Sequence, residues 1–558
     1  MLENPVLQRE LLVNLRMPRA FVLLLIYQGV LAAVVYFAWP KEDIRLDLTD
    51  NRGAVGNLVD LVFLGQYILA SLMAPSFAST AIAGEKERKT YEMLLASPIF
   101  PESIVLGKLV AALTHLAILI FASLPIVMLS LPLGGVSFYE VIAAYVALIS
   151  AVIMFGMISI ACGSFFPRAS SSLVVSYLLI LPLAIVGILF WQSFSNFGET
   201  RFKIAMTVIP GVCAAVSIWL FYMISARMLY PSDVGSEGKE VIDLEQENQE
   251  AIGLVIQRDQ FPDRLFAPPK RDTLMKDGTN PVYDKEMRSE IFGQGTLMLR
   301  LAIQISMLLA IPMMAFFLYI FKDLAPWYIS YVVLFNMLVG PVFSAGTVTS
   351  ERERQTLDLL LTTIITPWSI LWGKLISSLR VSSVLSAFLM WPLFLAMFLV
   401  GEYLANIPTI VAYLTIFCLT CLTTSVVGLF CSTLFRKSIT SLIATYTTII
   451  MLYVVPLATS YFSYRFFTDS PNTKYVYGST ITSPFAAAFA FPLYVDSYTG
   501  YAFNWSDNDR AAGWLHWEFG DVAHFAGYVG FTLLFNAILF GLMIWMFNSR
   551  WRVSSSEQ

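Results

Sequence analysis

Gly-Lys dipeptides are the first candidates for chemistry in this sequence, because such a pair closes the loop that holds nucleotide phosphates in many ATPases. The two pairs end at Lys108 and Lys374. The phosphate loop also needs a glycine five positions before the pair, where this sequence has Glu102 and Trp368. The sequence therefore predicts no ATP site. Both lysines precede long apolar runs, which favours side chains that reach toward lipid headgroups.

Cysteines are the second candidates, because the spaced pair Cys418 and Cys421 could supply half of a zinc site. All five cysteines of the chain, however, lie inside apolar runs. A structural zinc site needs four ligands in a polar shell, so the cysteines indicate helix packing. We expect no metal and no catalytic residue in this chain.

Charges are the third candidates. The stretch "GEKERKTYEMLLASP" at 84–98 holds six charges in a chain in which 13% of residues are charged and 57% are hydrophobic. At helical spacing its acids and bases can face water, while the leucines that follow pack under headgroups or against another protein. The chemistry that this stretch offers is electrostatic docking.

Composition determines which elements must position that stretch. With 558 residues and a mean hydropathy of +0.69, most of the chain must lie in lipid. Apolar runs long enough to cross a bilayer predict an all-α integral membrane protein with about twelve transmembrane helices. The predicted spans lie near 20–39, 57–83, 105–131, 137–165, 171–192, 203–228, 297–321, 327–349, 371–399, 405–434, 439–463 and 521–548.

The spans form two groups of six. Residues 231–279 lie between the groups, are acidic and rich in turn residues, and read as a cytoplasmic linker. This predicts one unit at 1–230 and a second at 280–558, the latter with an outer segment at about 464–519. Lys and Arg concentrate on the side of the two termini, which places both termini in the cytoplasm of a multi-pass protein of the cell (inner or plasma) membrane.

The two groups are copies of one unit. A shift of 266 positions lays residues 74–109 on 340–375 without a gap, with 15 of 36 positions identical. Two further pieces recur in the same order: "NPVLQREL" with "NPVYDKEM", and "FFPRASSS" with "LFRKSITS". The chain is therefore a tandem repeat, and each copy opens with a turn and a helix suited to the membrane interface.

The charged stretch thus occurs twice, after the second span of each unit. Ordinary loop ends set by the distribution of positive charge would explain it in part. Alternating acids and bases, a threonine and a double leucine in both copies favour a docking surface instead. The predicted docking residues are Glu85, Glu87, Arg88, Thr90 and Glu92, with Glu351, Glu353, Arg354, Thr356 and Asp358.

With its interfacial helix, six spans and "GEKERKT" or "SERERQT" segment, each unit resembles the permeases of ABC exporters of the type-2 class. The resemblance implies that these segments are cytoplasmic coupling helices that dock on ABC ATPase subunits. It further implies two ATPase copies, with ATP and Mg bound in that partner and no cofactor in this chain. The second copy departs from the pattern at Ile364, which stands where the first has Pro98.

Prolines and small or hydroxyl residues predict where a substrate would pass. Pro75 and Pro341 lie inside the second spans and would bend them into hinges. The resemblance implies that the second and fifth spans line the path, at Asn336, Ser344, Thr347, Ser176, Tyr177, Thr445 and Tyr446. Such uncharged walls suit a hydrophobic or amphipathic substrate, drug-like, lipid-like or a glycoconjugate, although tight helix packing explains the small residues equally well.

Two other readings remain open. A secondary transporter of the major facilitator kind also has twelve spans in two parallel units, but it usually keeps ionisable residues near the bilayer midplane. A non-transporting scaffold that passes force from an ATPase across the membrane shares every feature above. In all three readings the partners are membrane lipid and protein or small molecules, not nucleic acid.

Overall fold

The computed structural model describes residues 7–11, 28–29, 32, 52–87, 89–128, 138–166, 168–193, 203–229, 280–288, 296–320, 324–353, 355–401, 407–466, 476, 478–490 and 521–556. All regular elements in these ranges are helices. Contacts divide the described residues into two compact units. The first takes those up to residue 229 together with 296–302, and the second takes 280–288 and those from 303 onward.

The first unit contains seven labelled helices. They are α1 (Arg52–Ala78), α2 (Thr80–Glu87), α3 (Tyr91–Leu95), α4 (Pro101–Met128), α5 (Phe138–Phe165), α6 (Ala169–Ser193) and α7 (Ile209–Leu229), the last preceded by a π-helical turn, Ile204–Val208. Helix α1 packs on α4, α5 and α6. The second span, α1 with α2, therefore contacts the third, fourth and fifth.

The second unit repeats this order. Its helices are α8 (Pro281–Arg288), α9 (Thr296–Met314, of which the part from residue 303 belongs to this unit, extended by the π-helical Ala315–Ile320), α10 (Ala325–Ser344), α11 (Thr349–Glu353), α12 (Leu357–Leu361), α13 (Pro367–Leu399), α14 (Ile407–Leu434), α15 (Ser438–Phe466), α16 (Pro484–Phe489) and α17 (Asp521–Ser556). Helix α10 packs on α13, α14 and α15, as its counterpart does in the first unit.

Eleven helices of the described part are long and apolar enough to cross a membrane. They match eleven of the twelve predicted spans, so the all-α membrane fold is confirmed. The remaining predicted span, 20–39, falls almost wholly outside the described residues, as does the predicted linker at 231–279. The proposed domain boundaries at 230 and 280 stay a prediction.

The repeated "NPV" opening has a capping function in the second unit. Asn280 lies just before α8, and its Oδ1 accepts a hydrogen bond from the backbone N–H of Val282 at 3.0 Å. Pro281 occupies the first helical position, where a missing N–H costs nothing. Asn280 Nδ2 also donates to the carbonyl of Ser369 at 2.7 Å, which fastens α8 to the start of α13. A helix is thus present where the sequence predicted an interfacial one, and its position at the membrane surface stays a prediction.

Only part of the predicted outer segment 464–519 is described. Within it, α16 buries Pro484 and the alanines that follow it, and packs on α10 and α14. The ring of Phe489 meets that of Trp327 edge-on at 5.3 Å. This short piece therefore belongs to the packed second unit.

Candidate functional site

The charged stretch of the first unit folds into a tight corner between α2 and α3, which we call the first corner (residues 80–95). Lys89 lies in the left-handed region at φ 57°, a conformation that costs a non-glycine residue about 1 kcal/mol. Thr90 N–H donates to the carbonyl of Glu85 at 3.0 Å, and Lys89 N–H to that of Lys86 at 3.1 Å. These two bonds are the Schellman pattern that ends a helix.

The second unit has the same turn between α11 and α12, the second corner (residues 349–361). Gln355 also has φ 57°. Thr356 N–H donates to the carbonyl of Glu351 at 2.9 Å, and Gln355 N–H to that of Arg352 at 3.1 Å. The backbone of the corner is therefore the same in both copies, although neither uses glycine at the left-handed position.

The first acid of the first corner points inward. Glu85 accepts a hydrogen bond from the hydroxyl of Thr90, and its Oε1 lies 3.2 Å from Nζ of Lys108 on α4. Lys108 also lies 3.6 Å from Glu10, in the short helical stretch 7–11, and is only 4% exposed. The expectation that Lys108 reaches the headgroups is therefore wrong, because its charge is neutralised inside the unit.

The second corner repeats this ion-pair cluster. Nζ of Lys374, on α13, lies 2.6 Å from Glu286 on α8 and 3.5 Å from Glu351, while Lys285 lies 2.6 Å from Glu351. Lys374 is 0% exposed and also donates to the carbonyl of Thr347 at 2.8 Å. Lys374 is thus no headgroup anchor either. Glu85 and Glu351, which we expected to face water, instead tie the corners to the third spans.

The base that follows each of these acids meets the end of the fourth span. Lys86 donates to the carbonyl of Ser164 near the C-terminus of α5. In the second unit, Arg352 donates to the carbonyls of Phe435 at 2.5 Å and Thr433 at 3.1 Å, at the C-terminus of α14. A helix C-terminus carries partial negative charge, so a cation is favourable there.

The second acid of each corner meets the start of the fifth span. Glu87 Oε2 accepts from the backbone N–H of Ala169, the first residue of α6, at 3.3 Å. Glu353 accepts from both the N–H and the hydroxyl of Ser438, the first residue of α15, each at 2.8 Å. Carboxylates are favourable at helix N-termini, where partial positive charge accumulates.

Three consecutive side chains therefore bind each corner to three spans. This arrangement was missed in the sequence, where the same residues were interpreted as an outward surface. A signal was available: acid, base, acid recurs at 85–87 and 351–353. The first acid meets a buried lysine, and the base and the second acid each meet a helix end of opposite partial charge. Residues Arg88 and Arg354 lie outside the described residues.

The outward faces of α3 and α12 carry the exposed side chains. Glu92 and Asp358 are exposed at equivalent positions. Beside them, Met93 is 75% exposed and its counterpart Leu359 is 68% exposed. Tyr91 instead turns inward, its ring 5.4 Å from Nζ of Lys86, and burial raises the pKa of its phenol. An acid beside an apolar side chain thus faces out from both corners.

The double leucines are only partly exposed, so they contribute less to that surface than expected. Ile364, at the point of departure from the first copy, is fully exposed just after the second corner. The two outward surfaces therefore share an acid beside an apolar side chain and differ at Ile364.

Both predicted hinge prolines lie where the second span is interrupted. Pro75 is inside α1, which ends at Ala78, with Ser79 outside the helix before α2. Pro341 is inside α10, which ends at Ser344, and α11 starts at Thr349. Each interruption thus follows its proline by about one helical turn. Whether the span bends there during function stays a prediction.

The predicted path residues of the second span form a buried polar cluster in the second unit. Asn336 Nδ2 donates to Ser382 at 3.0 Å and Ser386 at 3.1 Å, while its Oδ1 accepts from Thr424 at 2.9 Å. Ser344 bonds the carbonyl of Gly340, and the hydroxyl of Thr347 bonds the carbonyl of Ser344. These groups join spans 2, 3 and 4 within the unit.

The predicted path residues of the fifth span are also internally bonded. The hydroxyls of Ser176 and Thr445 each donate one turn back along their own helix. Tyr177 and Tyr446 instead donate across to the second span, to the carbonyls of Leu72 at 2.9 Å and Leu338 at 2.5 Å. The spans expected to line a path are therefore in direct polar contact within each unit.

The sequence matches the family described as ABC-2 family transporter protein twice in tandem, over residues 7–204 and 204–549. The chain belongs to the ABC-2 transporter family. This ABC-2 protein is accordingly a multi-pass membrane permease with two fused units, as the repeat indicated, and the major facilitator reading is not supported. No curated protein and no solved structure gave a significant match.

Proposed function

We propose that this ABC-2 permease exports a hydrophobic or amphipathic compound from the cytoplasm or inner leaflet, driven by separate ABC ATPase subunits that bind ATP and Mg. One observation carries the proposal. In both units a short helix shows an acid and a large apolar side chain outward, and its corner is bound to three spans by buried or helix-end charges.

The exposed positions define the docking surface. We assign docking to Glu92 and Met93 on α3 and to Asp358 and Leu359 on α12, one corner for each of two ATPase copies. Large apolar side chains exposed to water are costly unless they are covered, and buried apolar anchors dominate the stability of protein interfaces. Glu85, Glu87, Glu351 and Glu353 then act behind this surface, as links to the spans.

The positions of the buried charges support a hydrophobic or amphipathic substrate. Among the described residues, the buried lysines and carboxylates are Lys108, Lys374 and Glu351, all of them at the corners. The buried polar groups deeper in the spans, such as Asn336 and Ser382, are neutral. A charged path across the bilayer would need ionisable residues along it. Within the described residues, the lack of buried lysines and carboxylates away from the corners therefore favours a hydrophobic or amphipathic substrate over a charged one.

Co-purification tests the docking surface. The chain is tagged and co-expressed with candidate ABC ATPase chains, and retention of the ATPase is compared for wild type, Met93→Asp and Leu359→Asp. Desolvating one charge at a buried interface costs about 2–5 kcal/mol, so we expect retention to fall at least tenfold for each variant. Tyr139→Asp is the matched control, since Tyr139 is exposed at the opposite end of its span.

Two outcomes would contradict the proposal. One is wild-type retention by both Asp variants. The other is ATP hydrolysis by the isolated chain after removal of contaminating proteins, because the family consists of membrane components. Transport of a lipid-like probe into vesicles by the retained complex would then separate an exporter from a scaffold.

A further inference from the structure

The second span of each unit is interrupted just after its proline. Pro75 has no N–H to give to the carbonyl four residues earlier, and α1 then stops at Ala78. The same holds for Pro341 and the end of α10 at Ser344. We call residues 73–84 and 339–350 the first and second break. A span interrupted in this way would bend under load from its corner.

In the first unit, the fifth span is fastened to the second on both sides of the break. Before the break, the hydroxyl of Tyr177 on α6 donates to the carbonyl of Leu72 at 2.9 Å, and it also lies 2.7 Å from the hydroxyl of Ser76 at the start of the break. After it, Glu87 accepts from the N–H of Ala169 at the start of α6. The two attachment points, Ala169 and Tyr177, are eight positions apart on one continuous helix, about 12 Å at 1.5 Å per residue.

In the second unit, the same two attachments recur. Tyr446 on α15 donates to the carbonyl of Leu338 at 2.5 Å, before the break. Glu353 is held by Ser438 after it. The copies of the second span are related by a shift of 266 positions, whereas those of the fifth span are related by 269. Both contacts persist despite this difference of three residues in the intervening chain.

We propose that the fifth span of each unit braces the break of the second span, with Tyr177 and Tyr446 as the positioning residues of the outer attachment. Displacement of a corner is then delivered to the outer halves of both spans together, and is not absorbed at the proline. Only the functional consequence of the brace rests on the proposed function of the chain as an ATP-driven permease. The brace itself concerns the isolated chain.

Hydrogen exchange of the isolated full chain in lipid nanodiscs tests the brace. In Tyr177→Phe, amides of the first break should exchange at least about fivefold faster, because the substitution removes the hydroxyl that contacts both the carbonyl of Leu72 and the hydroxyl of Ser76. Amides of the second break should stay unchanged. Tyr446→Phe should give the reverse. Tyr222→Phe is the matched control, since Tyr222 is exposed on the surface of α7.

The two attachments should also depend on each other. Glu87→Ala alone, or Tyr177→Phe alone, leaves one attachment in place, so the double variant should open the first break by more than the product of the single effects. A brace is ruled out if the double effect equals that product, or if exchange rises evenly over all spans. The latter would show that the tyrosine contributes only to general stability.

A second arm uses the complex with the co-purified ATPase. Replacing ADP with ATP should change exchange in the outer halves of α1 and α6 together in wild type, and in neither after Tyr177→Phe and Tyr446→Phe. If no ATPase is retained, the proposed function fails while the first arm still decides on the brace. If the ATP effect survives both substitutions, the tyrosines do not position the spans for transport.

Discussion

The two corners have the same backbone and the same three attachments, but they are not equally fastened. Lys374 is completely buried and lies 2.6 Å from Glu286, whereas Lys108 lies 3.2 Å from Glu85 and 3.6 Å from Glu10. The second corner also has Lys285 on the same carboxylate of Glu351. The two units thus share the same pattern of charges, but the lysine of the second corner is more buried and its closest ion pair is shorter.

A similar difference is found deeper in the spans. Asn336 bonds hydroxyl and thiol groups of two neighbouring spans in the second unit, including the thiol of Cys421 at 3.1 Å. The aligned residue of the first unit is Ala70, which is buried without polar groups. At this position, therefore, the second unit depends on polar contacts between its spans and the first unit does not. Substitutions that remove such contacts should therefore act unequally.

The largest inequality should appear at the buried lysines. Lys374→Met removes the shared cation from Glu286 and Glu351, and breaking a buried pair in this way costs about 3–5 kcal/mol. Lys108→Met also breaks a buried pair but should cost less, because Lys108 lies 3.2 and 3.6 Å from its carboxylates and the more distant one, Glu10, is 30% exposed. The midpoint of thermal unfolding of the purified chain, with the yield of folded protein, measures both. An equal or larger effect of Lys108→Met would show that the first corner is the more tightly held.

The sequence predicted the fold well for a physical reason. A bilayer requires long apolar helices, so eleven spans could be recognised from hydropathy alone, and the repeat fixed which elements correspond. Glu92 and Asp358 were also placed on the outward surface in advance. Such features depend on residues close together in the chain.

The attachments could not be recognised in this way. Glu85 and Glu87 look like solvated charges until the ends of the third, fourth and fifth spans are placed beside them. The sequence predicts Tyr177 and Tyr446 as path residues, because nothing local shows that a backbone carbonyl of another span accepts their hydroxyls. Contacts between spans depend on register and rotation, which uniformly apolar helices leave unspecified.

Two glycines of the fourth spans, one in each unit, should give a loss of stability of intermediate size when replaced by alanine. A Cβ on Gly163 would lie 2.8 Å from the backbone carbonyl oxygen of Ser79, at the first break. A Cβ on Gly428 would lie 1.9 Å from the hydroxyl oxygen of Ser344 and 3.1 Å from the backbone nitrogen of Ala345. Overpacking of this kind costs about 1–3 kcal/mol, so both alanine variants should lower the unfolding midpoint.

The two clashes differ in what can relieve them. Ser344→Gly removes the side chain that Gly428→Ala would strike, so the double variant should recover part of the loss even though glycine weakens the helix. The clash at Gly163 is with main chain, and no substitution of Ser79 should relieve Gly163→Ala. Recovery by Ser79→Gly would contradict this assignment, as would failure of Ser344→Gly to help Gly428→Ala.

The smallest expected effect tests the start of the fifth span. Ser438 gives Glu353 two hydrogen bonds, one from its N–H and one from its hydroxyl, and the hydroxyl also lies 3.0 Å from Thr349. Ala169 gives Glu87 only its N–H. Ser438→Ala should therefore destabilise the second unit by about 0.5–1.5 kcal/mol, the net value of a typical hydrogen bond. Ala169→Ser supplies the missing hydroxyl at the equivalent position and should stabilise the first unit by up to the same amount.

Differential scanning fluorimetry of the two variants and of the double variant measures the changes. Opposite signs that sum in the double variant are expected, because the substitutions lie in separate units and share no partner. If both variants lower the midpoint, the first corner does not hold its carboxylate where a serine hydroxyl can reach it, and the correspondence between the two attachments is wrong at this position.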